Sequence, residues 1–367
     1  MRTKEGTKQL NIETLRIVAM LLIIMGHSIG HTYLLDFIPF ATVKYQCILF
    51  IRVICSIATN VYVLISGYLL CQKPFKIRRV FSLWLQVFFY SLSLYVVCLL
   101  IGKADFSFGT LLKVVLPMSG NQYWFARVYF GLYLLSPFLN SFIQHLNKKQ
   151  FQLMLLISVL LFSLWRSFLP FAVTLNSEGG NSIIWFIVLY FFGAYLKLHG
   201  LPERINSRKI LVCVTIVMLL FAYGSIVFLH FVSDHFGFGG KGVSLFSEFT
   251  AFPILFSALS VFAISICSAE RIKGRPAKVI LWFSESTFSV YLIHENRYIK
   301  SVLWSLINMP GHADSVFVIP LIPFVAILIF VSCAVVDKLT YKQLDRLLKK
   351  VKFLKLQKMI DEFLLEK

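Results

Sequence analysis

The sequence predicts an all-α protein, a polytopic membrane bundle of about ten transmembrane helices with both termini in the cytosol. Three observations carry this prediction. Of its 367 residues, 58% are hydrophobic and only 14% are charged, whereas a soluble domain averages about 25% charged. The apolar residues fall into long uncharged runs, and the connectors between these runs alternate in charge. A soluble core could not hide so many runs, so lipid must solvate the excess.

Each apolar run is long enough to cross a hydrocarbon layer of about 30 Å as a helix. Lipid cannot satisfy the edge of an open strand, so every span is predicted to be helical. The first run is too long for a signal peptide and lacks a small-residue cleavage site, which predicts that it is retained. The runs lie at 12–34, 46–70, 80–102, 124–143, 151–171, 181–198, 209–231, 247–267, 278–300 and 315–336.

The connectors predict the orientation, because short cytosolic loops are enriched in Lys and Arg. Basic residues precede the first run (Arg2, Lys4 and Lys8) and recur in every second connector, as in 73–79, while the connectors between them carry few. This alternation puts the N-terminus inside, and an even number of spans puts the C-terminus inside too.

The chain is therefore divided into a membrane domain, 1–338, and a cytosolic tail, 339–367. In the tail, Leu, Ile and Phe alternate with Lys at helical spacing. This pattern favours a basic amphipathic helix on the anionic inner leaflet over a plain solvated tail.

The charge balance and the cysteines exclude several classes of partner. Lys and Arg outnumber Asp and Glu by 36 to 17, a net charge of +19, but they are spread over short connectors. No contiguous basic face is available, so we expect membrane lipid and no nucleic acid as partner. The seven cysteines lie in or beside apolar runs without CxxC or Cys/His spacing, which predicts neither a disulfide framework nor a metal.

The first run holds the clearest candidates for chemistry, since ionisable groups inside a membrane are costly. Arg16 and His27 share one helix face about 16 Å apart, and His31 continues the same stripe. Glu13, one turn before Arg16, is placed to orient it. Two structural alternatives stay open: Arg16 snorkelling to lipid phosphates, and His27 hydrogen-bonding between helices.

Four segments between residue 11 and about residue 295 carry a further pattern. They are Glu13-Thr-Leu-Arg16 with His27 after ten intervening residues; Ser66-Gly67-Tyr68 followed by Lys76, Arg78 and Arg79; Tyr123-Trp124-Phe125 followed by Tyr133-Leu-Leu-Ser-Pro137; and Ser289-Val-Tyr291-Leu-Ile-His294. Together, in this order, they resemble the acyltransferase-type-three family, the integral-membrane O-acyltransferases of surface polysaccharides.

The resemblance implies transfer of an acyl group, in the first place acetyl, from cytosolic acyl-coenzyme A to a saccharide or lipid-linked saccharide. His27 would act as general base or transient acyl carrier, with Arg16 as its catalytic partner. A thioester is already activated, so no metal is needed. Phosphate contacts would come from Arg16, Lys76, Arg78 and Arg79, acceptor contacts from Tyr123, Trp124, Arg127, Tyr291 and His294, and support from Glu13 and Ser66.

Several of these roles have structural alternatives. Trp124 fits an interfacial aromatic belt as well as a sugar site. Tyr291 and His294 fit helix packing, and Ser66-Gly67 fits close helix approach, with no nucleophile elbow around the serine.

The sequence also departs from the family pattern. The basic connector lacks its frequent closing proline, and Ala126 follows Trp124-Phe125 where leucine is common. No extracytoplasmic hydrolase-like domain is expected, so the chain either acylates the acceptor itself or passes the group to a separate extracytoplasmic partner.

We expect a multi-pass protein of a bacterial plasma membrane. Capsule, O-antigen, peptidoglycan and secreted polymer all fit as acceptor, and the acyl group could also be succinyl or another short chain. The main alternative is a transporter or flippase for a lipid-linked saccharide, although neither repeat symmetry nor matched Gly/Pro-broken helices are evident. The second alternative function is a non-catalytic membrane scaffold or sensor.

Overall fold

The computed structural model describes residues 9–119, 122–168, 178–237, 239–240, 242–267 and 273–350. Within these ranges all regular structure is helical and no strand occurs. A π-helical turn, Leu160–Leu164, joins the helix Lys148–Val159 to the helix Trp165–Phe168. The helices are α1 (Leu10–Gly30), α2 (Val43–Cys55), α3 (Ala58–Leu70), α4 (Ile77–Leu100), α5 (Phe108–Val115), α6 (Trp124–Gln144), α7 (Lys148–Val159), α8 (Trp165–Phe168), α9 (Ile183–His199), α10 (Arg208–Phe236), α11 (Phe252–Cys267), α12 (Arg275–Ser284), α13 (Thr287–His294), α14 (Arg297–Ile307), α15 (Val318–Leu339) and α16 (Tyr341–Lys350).

The described part of the chain contains six helical segments long and apolar enough to cross a membrane. They match six of the predicted runs, so the prediction of an all-helical, multi-pass chain is confirmed at this level. Three other runs form α6, α7 with α8, and the shorter apolar helix α9. The six segments are Leu10–Gly30, Val43–Leu70, Ile77–Leu100, Arg208–Phe236, Leu245–Cys267 and Val318–Leu348.

The run at 278–300 is not one continuous helix, and this prediction is wrong. The chain breaks after Ser284 and again after His294, giving α12, α13 and α14. The second break is capped by Asn296, whose side chain accepts hydrogen bonds from the backbone of Tyr298 (3.0 Å) and Ile299 (3.5 Å) and so starts a new helix. The break leaves His294 and Glu295 at a helix end inside the protein.

Helix α1 is central to the bundle, because it contacts α2, α3, α11, α12, α13 and α15. Helices α3 and α9 pack closely against each other. A Cβ on Gly67 would collide with the backbone of Tyr190, and a Cβ on Gly193 would collide with the backbone carbonyl of Leu64. Small residues on both helices thus let the two backbones approach, as is common in membrane bundles.

The outer surface is apolar, as lipid solvation requires. On α10 only 22% of the most apolar 18-residue window is buried. Its exposed side chains include Ile216, Phe228 and Phe231, the last 70% exposed.

Helix α16 covers the beginning of the predicted tail. Tyr341 is buried and its hydroxyl donates to the Ser82 carbonyl on α4 (3.2 Å), whereas Leu347 is exposed. Residues 351–367, together with the basic residues Arg2, Lys4, Lys8 and Arg271, lie outside the described residues. The surface-helix prediction for that part of the tail stays a prediction.

Candidate active site

A cavity of about 840 Å³ runs alongside α1. Residues from both halves of that helix line it, Arg16 and Met20 in the first half and Gly26 and His27 in the second. Helices α2, α3, α4, α6 and α13 and the segment 244–249 supply further walls. Six of the predicted site residues border this space: Arg16, His27, Ser66, Arg79, Trp124 and Tyr291.

The two ends of the cavity are well separated along the bundle. The Tyr62 hydroxyl donates to the Arg16 carbonyl oxygen (2.8 Å), whereas a Cβ on Gly26 would lie 3.2 Å from the Cβ of Cys55. The α2–α3 segment is therefore antiparallel to α1. Arg16 and His27 are about 16 Å apart by helical rise, and one cavity contacts both.

His27 lies in a cluster of polar side chains contributed by the start and the end of the chain. Its Nδ1 is 3.1 Å from Nε2 of His294 and 3.1 Å from Oε1 of Glu295. His31 Nε2 approaches the same Glu295 oxygen at 2.7 Å. The other Glu295 oxygen is 3.6 Å from Lys300 Nζ. The carboxylate is 8% exposed and His294 is fully buried.

The hydrogen bonds of the cluster fix the His27 tautomer. His294 Nδ1 lies 2.6 Å from the Val290 carbonyl oxygen, which can only accept, so Nδ1 of His294 carries a proton. Nε2 of a neutral His294 then bears a lone pair and must receive its hydrogen bond from His27. The Glu295 carboxylate also only accepts. Both partners therefore require the proton of His27 on Nδ1, which leaves Nε2 of this cavity-lining ring as a free base.

At the other end of the cavity Arg16 is held by a neighbouring acid. Its Nη1 is 3.2 Å from Oε2 of Glu13, one helical turn away, and Glu13 is buried. The pair keeps the guanidinium beside the cavity, and it leaves most of the five guanidinium N–H donors for other partners.

Of the three basic residues predicted to contact phosphate just before and within α4, one lines the cavity and two do not. Arg79 lines the cavity and lies over the Tyr133 ring, 5.2 Å from its centroid. The Tyr133 hydroxyl hydrogen-bonds the backbone of Lys76. Lys76 and Arg78 are exposed and are not among the residues that line the cavity.

Of the residues predicted to contact the acceptor, Trp124 and Tyr291 line the cavity, whereas Tyr123 and Arg127 are not among the lining residues. Trp124 stacks on Phe249 at 6.2 Å with an interplanar angle of 17°, and Tyr291 packs edge-on against Phe125. Tyr123 is fully buried: its hydroxyl donates to the Leu292 carbonyl (3.0 Å) and accepts from Asn296. Tyr123 therefore stabilises the chain at the break between α13 and α14. Arg127 is exposed and is not among the cavity-lining residues.

Ser66 lines the cavity but is placed as a structural group. Its hydroxyl donates to the Tyr62 carbonyl (3.0 Å), one turn earlier in α3, and lies 3.5 Å from the Tyr129 hydroxyl. The adjacent Gly67 provides the close approach to α9.

Sequence reasoning missed Glu295 and did not include His31 or Arg52 among the site residues. A signal for Glu295 was present, since it is an acid directly after His294 in an apolar run, where a charge is costly. Its pairing with His27, however, depends on the break after α13, which the run of apolar residues conceals.

The same cluster is also a possible set of metal ligands. One ligand atom each from His27, His294 and Glu295 lie within 4.8 Å of one another. Nδ1 is the His27 atom that faces both partners; a metal bound there would need its lone pair, whereas the hydrogen bonds described above need a proton there. The contacts favour the proton.

One family of known proteins matches the chain. A family profile described as "Acyltransferase domain" matches residues 9–338, which is almost the whole chain and includes every cavity-lining residue. The chain belongs to the acyltransferase-3 family. With six apolar helices of membrane-spanning length, it is a multi-pass membrane acyltransferase. No curated protein and no solved structure showed significant similarity to the chain.

Proposed function

We propose that the protein transfers an acyl group, in the first place acetyl, from acyl-coenzyme A to a hydroxyl of a surface or lipid-linked saccharide. One observation carries the proposal: a single cavity joins two arginines, Arg16 and Arg79, to His27, whose Nδ1 contacts His294 and Glu295. The arginines offer charge-assisted contacts to the coenzyme phosphates, and the pantetheine arm spans the distance to His27.

The chemical step uses His27 as general base. Nε2 takes the proton of the acceptor hydroxyl while the hydroxyl oxygen attacks the thioester carbonyl carbon. The tetrahedral intermediate collapses, the carbon–sulfur bond breaks, and the imidazolium returns the proton to the departing coenzyme thiolate. Glu295, 3.1 Å from Nδ1, stabilises the imidazolium and holds the ring in its reactive tautomer. Direct transfer therefore needs no separate partner, although hand-off to an extracytoplasmic transferase is compatible with the same cavity.

We infer the topology that this reaction requires. About ten spans with both termini in the cytosol place Arg16 and Arg79 near the cytosolic side, where coenzyme A is available. His27 then lies deeper, toward the side from which a surface saccharide arrives. The setting would be a bacterial plasma membrane.

The test uses the full chain purified into lipid nanodiscs with radiolabelled acetyl-coenzyme A and a surface glycan extract. Wild type is expected to label the glycan, and His27→Ala is expected to lose the label while keeping the wild-type melting temperature. His145→Ala is the matched control, because His145 is exposed at the end of α6 and its Nδ1 contacts the nearby Ser141 carbonyl.

Two outcomes would overturn the proposal. Full labelling by His27→Ala would remove the base from the mechanism. Failure of wild type to bind acetyl-coenzyme A would remove the enzyme itself and would favour the transport of a saccharide through the cavity.

A further inference from the structure

A third arginine, Arg52, lines the cavity close to His27. Arg52 precedes Cys55 by three residues on α2, and Cys55 contacts Gly26, the residue before His27. Because α2 is antiparallel to α1 and Cys55 is level with Gly26, Arg52 lies about 3 Å beyond His27 along the helix axis, away from Arg16. Arg52 also precedes Tyr62, which bonds Arg16, by ten residues, or about 15 Å of helical rise.

The other cavity-lining arginines are at the opposite end. Arg16 has the position just described. Gln86, seven residues after Arg79 on α4, bonds Ser289 (2.6 Å), which precedes His294 by five residues. Arg79 therefore lies far from the histidine cluster. Among the described residues that line the cavity, Arg52 is the one permanent cation at the His27 end.

The Arg52 guanidinium has no ion pair with a carboxylate within the described ranges. The surrounding walls suit a sugar: the stacked Trp124 and Phe249 rings offer an aromatic face, and Ser244, Ser247 and Asn181 offer hydroxyl and amide groups. Arg52 is exposed, and a guanidinium without a carboxylate partner among the described residues matches a carboxylate or a phosphate, which it can bind with two parallel N–H donors.

We propose that the acceptor is an anionic saccharide whose carboxylate or phosphate is bound by Arg52 while its hydroxyl is presented to His27. This inference rests on the proposed function and narrows its acceptor. Arg52 selects the acceptor, and the aromatic faces of Trp124 and Phe249 hold the ring, on a wall that also carries Glu248. A neutral sugar would leave the guanidinium without a partner and bind more weakly.

The experiment measures the binding of three probes to the full chain in nanodiscs: glucuronate, glucose 1-phosphate and glucose. We expect wild type to bind at least one anionic probe about tenfold more tightly than glucose. The carboxylate and phosphate probes distinguish the two anions. In Arg52→Gln the ratio is expected to fall to about one, and in Arg52→Lys it is expected to recover in part. Lys44→Gln removes a charge from the same helix outside the cavity and is expected to keep the wild-type ratio.

The inference is overturned if wild type binds glucose as tightly as both anionic probes, if it binds none of them, or if Arg52→Gln keeps the preference. Binding of acetyl-coenzyme A, measured in parallel, separates this failure from failure of the proposed function. If acetyl-coenzyme A binds normally but no anion preference is found, only the anionic acceptor is refuted. If acetyl-coenzyme A does not bind, the proposed acyl transfer is refuted.

Discussion

Replacing Glu295 by glutamine tests the tautomer argument directly. The change conserves size but turns an acceptor-only carboxylate into an amide that can donate a hydrogen bond. An amide NH₂ facing Nδ1 of His27 would stabilise the tautomer with its proton on Nε2, which cannot act as a base. Glu295→Ala introduces no competing donor at Nδ1, so His294 Nε2 still accepts from His27 Nδ1 at 3.1 Å and the tautomer is kept.

The expected magnitudes follow from these contacts. A reversed tautomer removes the general base from most molecules and the stabilisation of the imidazolium from the rest, a loss of about 10²–10⁴ in kcat. Glu295→Ala keeps the tautomer and loses the charge interaction, so its kcat should exceed that of Glu295→Gln. The assay is steady-state acetyl transfer across a pH series, with KM for acetyl-coenzyme A measured separately. That KM should stay within about twofold of wild type, because Glu295 is far from Arg16 and Arg79.

A surface acid supplies the control. Glu203→Gln removes the same charge from an exposed loop and should leave both kinetic constants unchanged. The tautomer argument is refuted if Glu295→Gln keeps more than about a tenth of wild-type kcat, or if Glu295→Ala is the more damaged of the two. If Glu295 had a purely structural role, both variants would instead show a lower kcat together with a lower melting temperature.

Three further predictions concern the binding of acetyl-coenzyme A, the packing of the helices and the presence of a metal ion. Arg79→Gln should raise KM for acetyl-coenzyme A about 10–100-fold with a smaller effect on kcat, since charge-assisted contacts to phosphate are lost; an unchanged KM would place the phosphates elsewhere. Gly67→Ala should destabilise the protein by about 1–3 kcal/mol or prevent folding, since the added Cβ meets the Tyr190 backbone. Gly224→Ala on α10, where a Cβ meets nothing within 4 Å, should be neutral or mildly stabilising in the same thermal assay. Treatment with EDTA should leave acetyl transfer unchanged, and loss of activity that zinc restores would assign His27, His294 and Glu295 to a metal.

The residues of α1 were the part of the site that could best be predicted from the sequence. Periodicity places Arg16 and His27 on one face without any knowledge of the neighbouring helices. The structure puts one cavity along that face. The Glu13–Arg16 contact is equally local, because it joins neighbouring turns.

The partners of His27 were less accessible, because they depend on tertiary structure. His294 could be singled out by its motif, but its contact with His27 spans 267 residues. Glu295 and Arg52 have no local pattern that assigns them to the same space. The breaks that produce α12, α13 and α14 were hidden for a related reason. Hydropathy averages over a window, while the capping bonds of Asn296 act at a single residue.

The histidine cluster has a consequence for biosynthesis. His27 leaves the ribosome more than 260 residues before His294 and Glu295. At about 5–20 residues per second, roughly 13–50 s pass before its partners exist. During that interval the first helix carries polar side chains into a membrane without the groups that will satisfy them. A cluster that needs His27, His294 and Glu295 together therefore cannot form on a nascent chain, or on one truncated before residue 294.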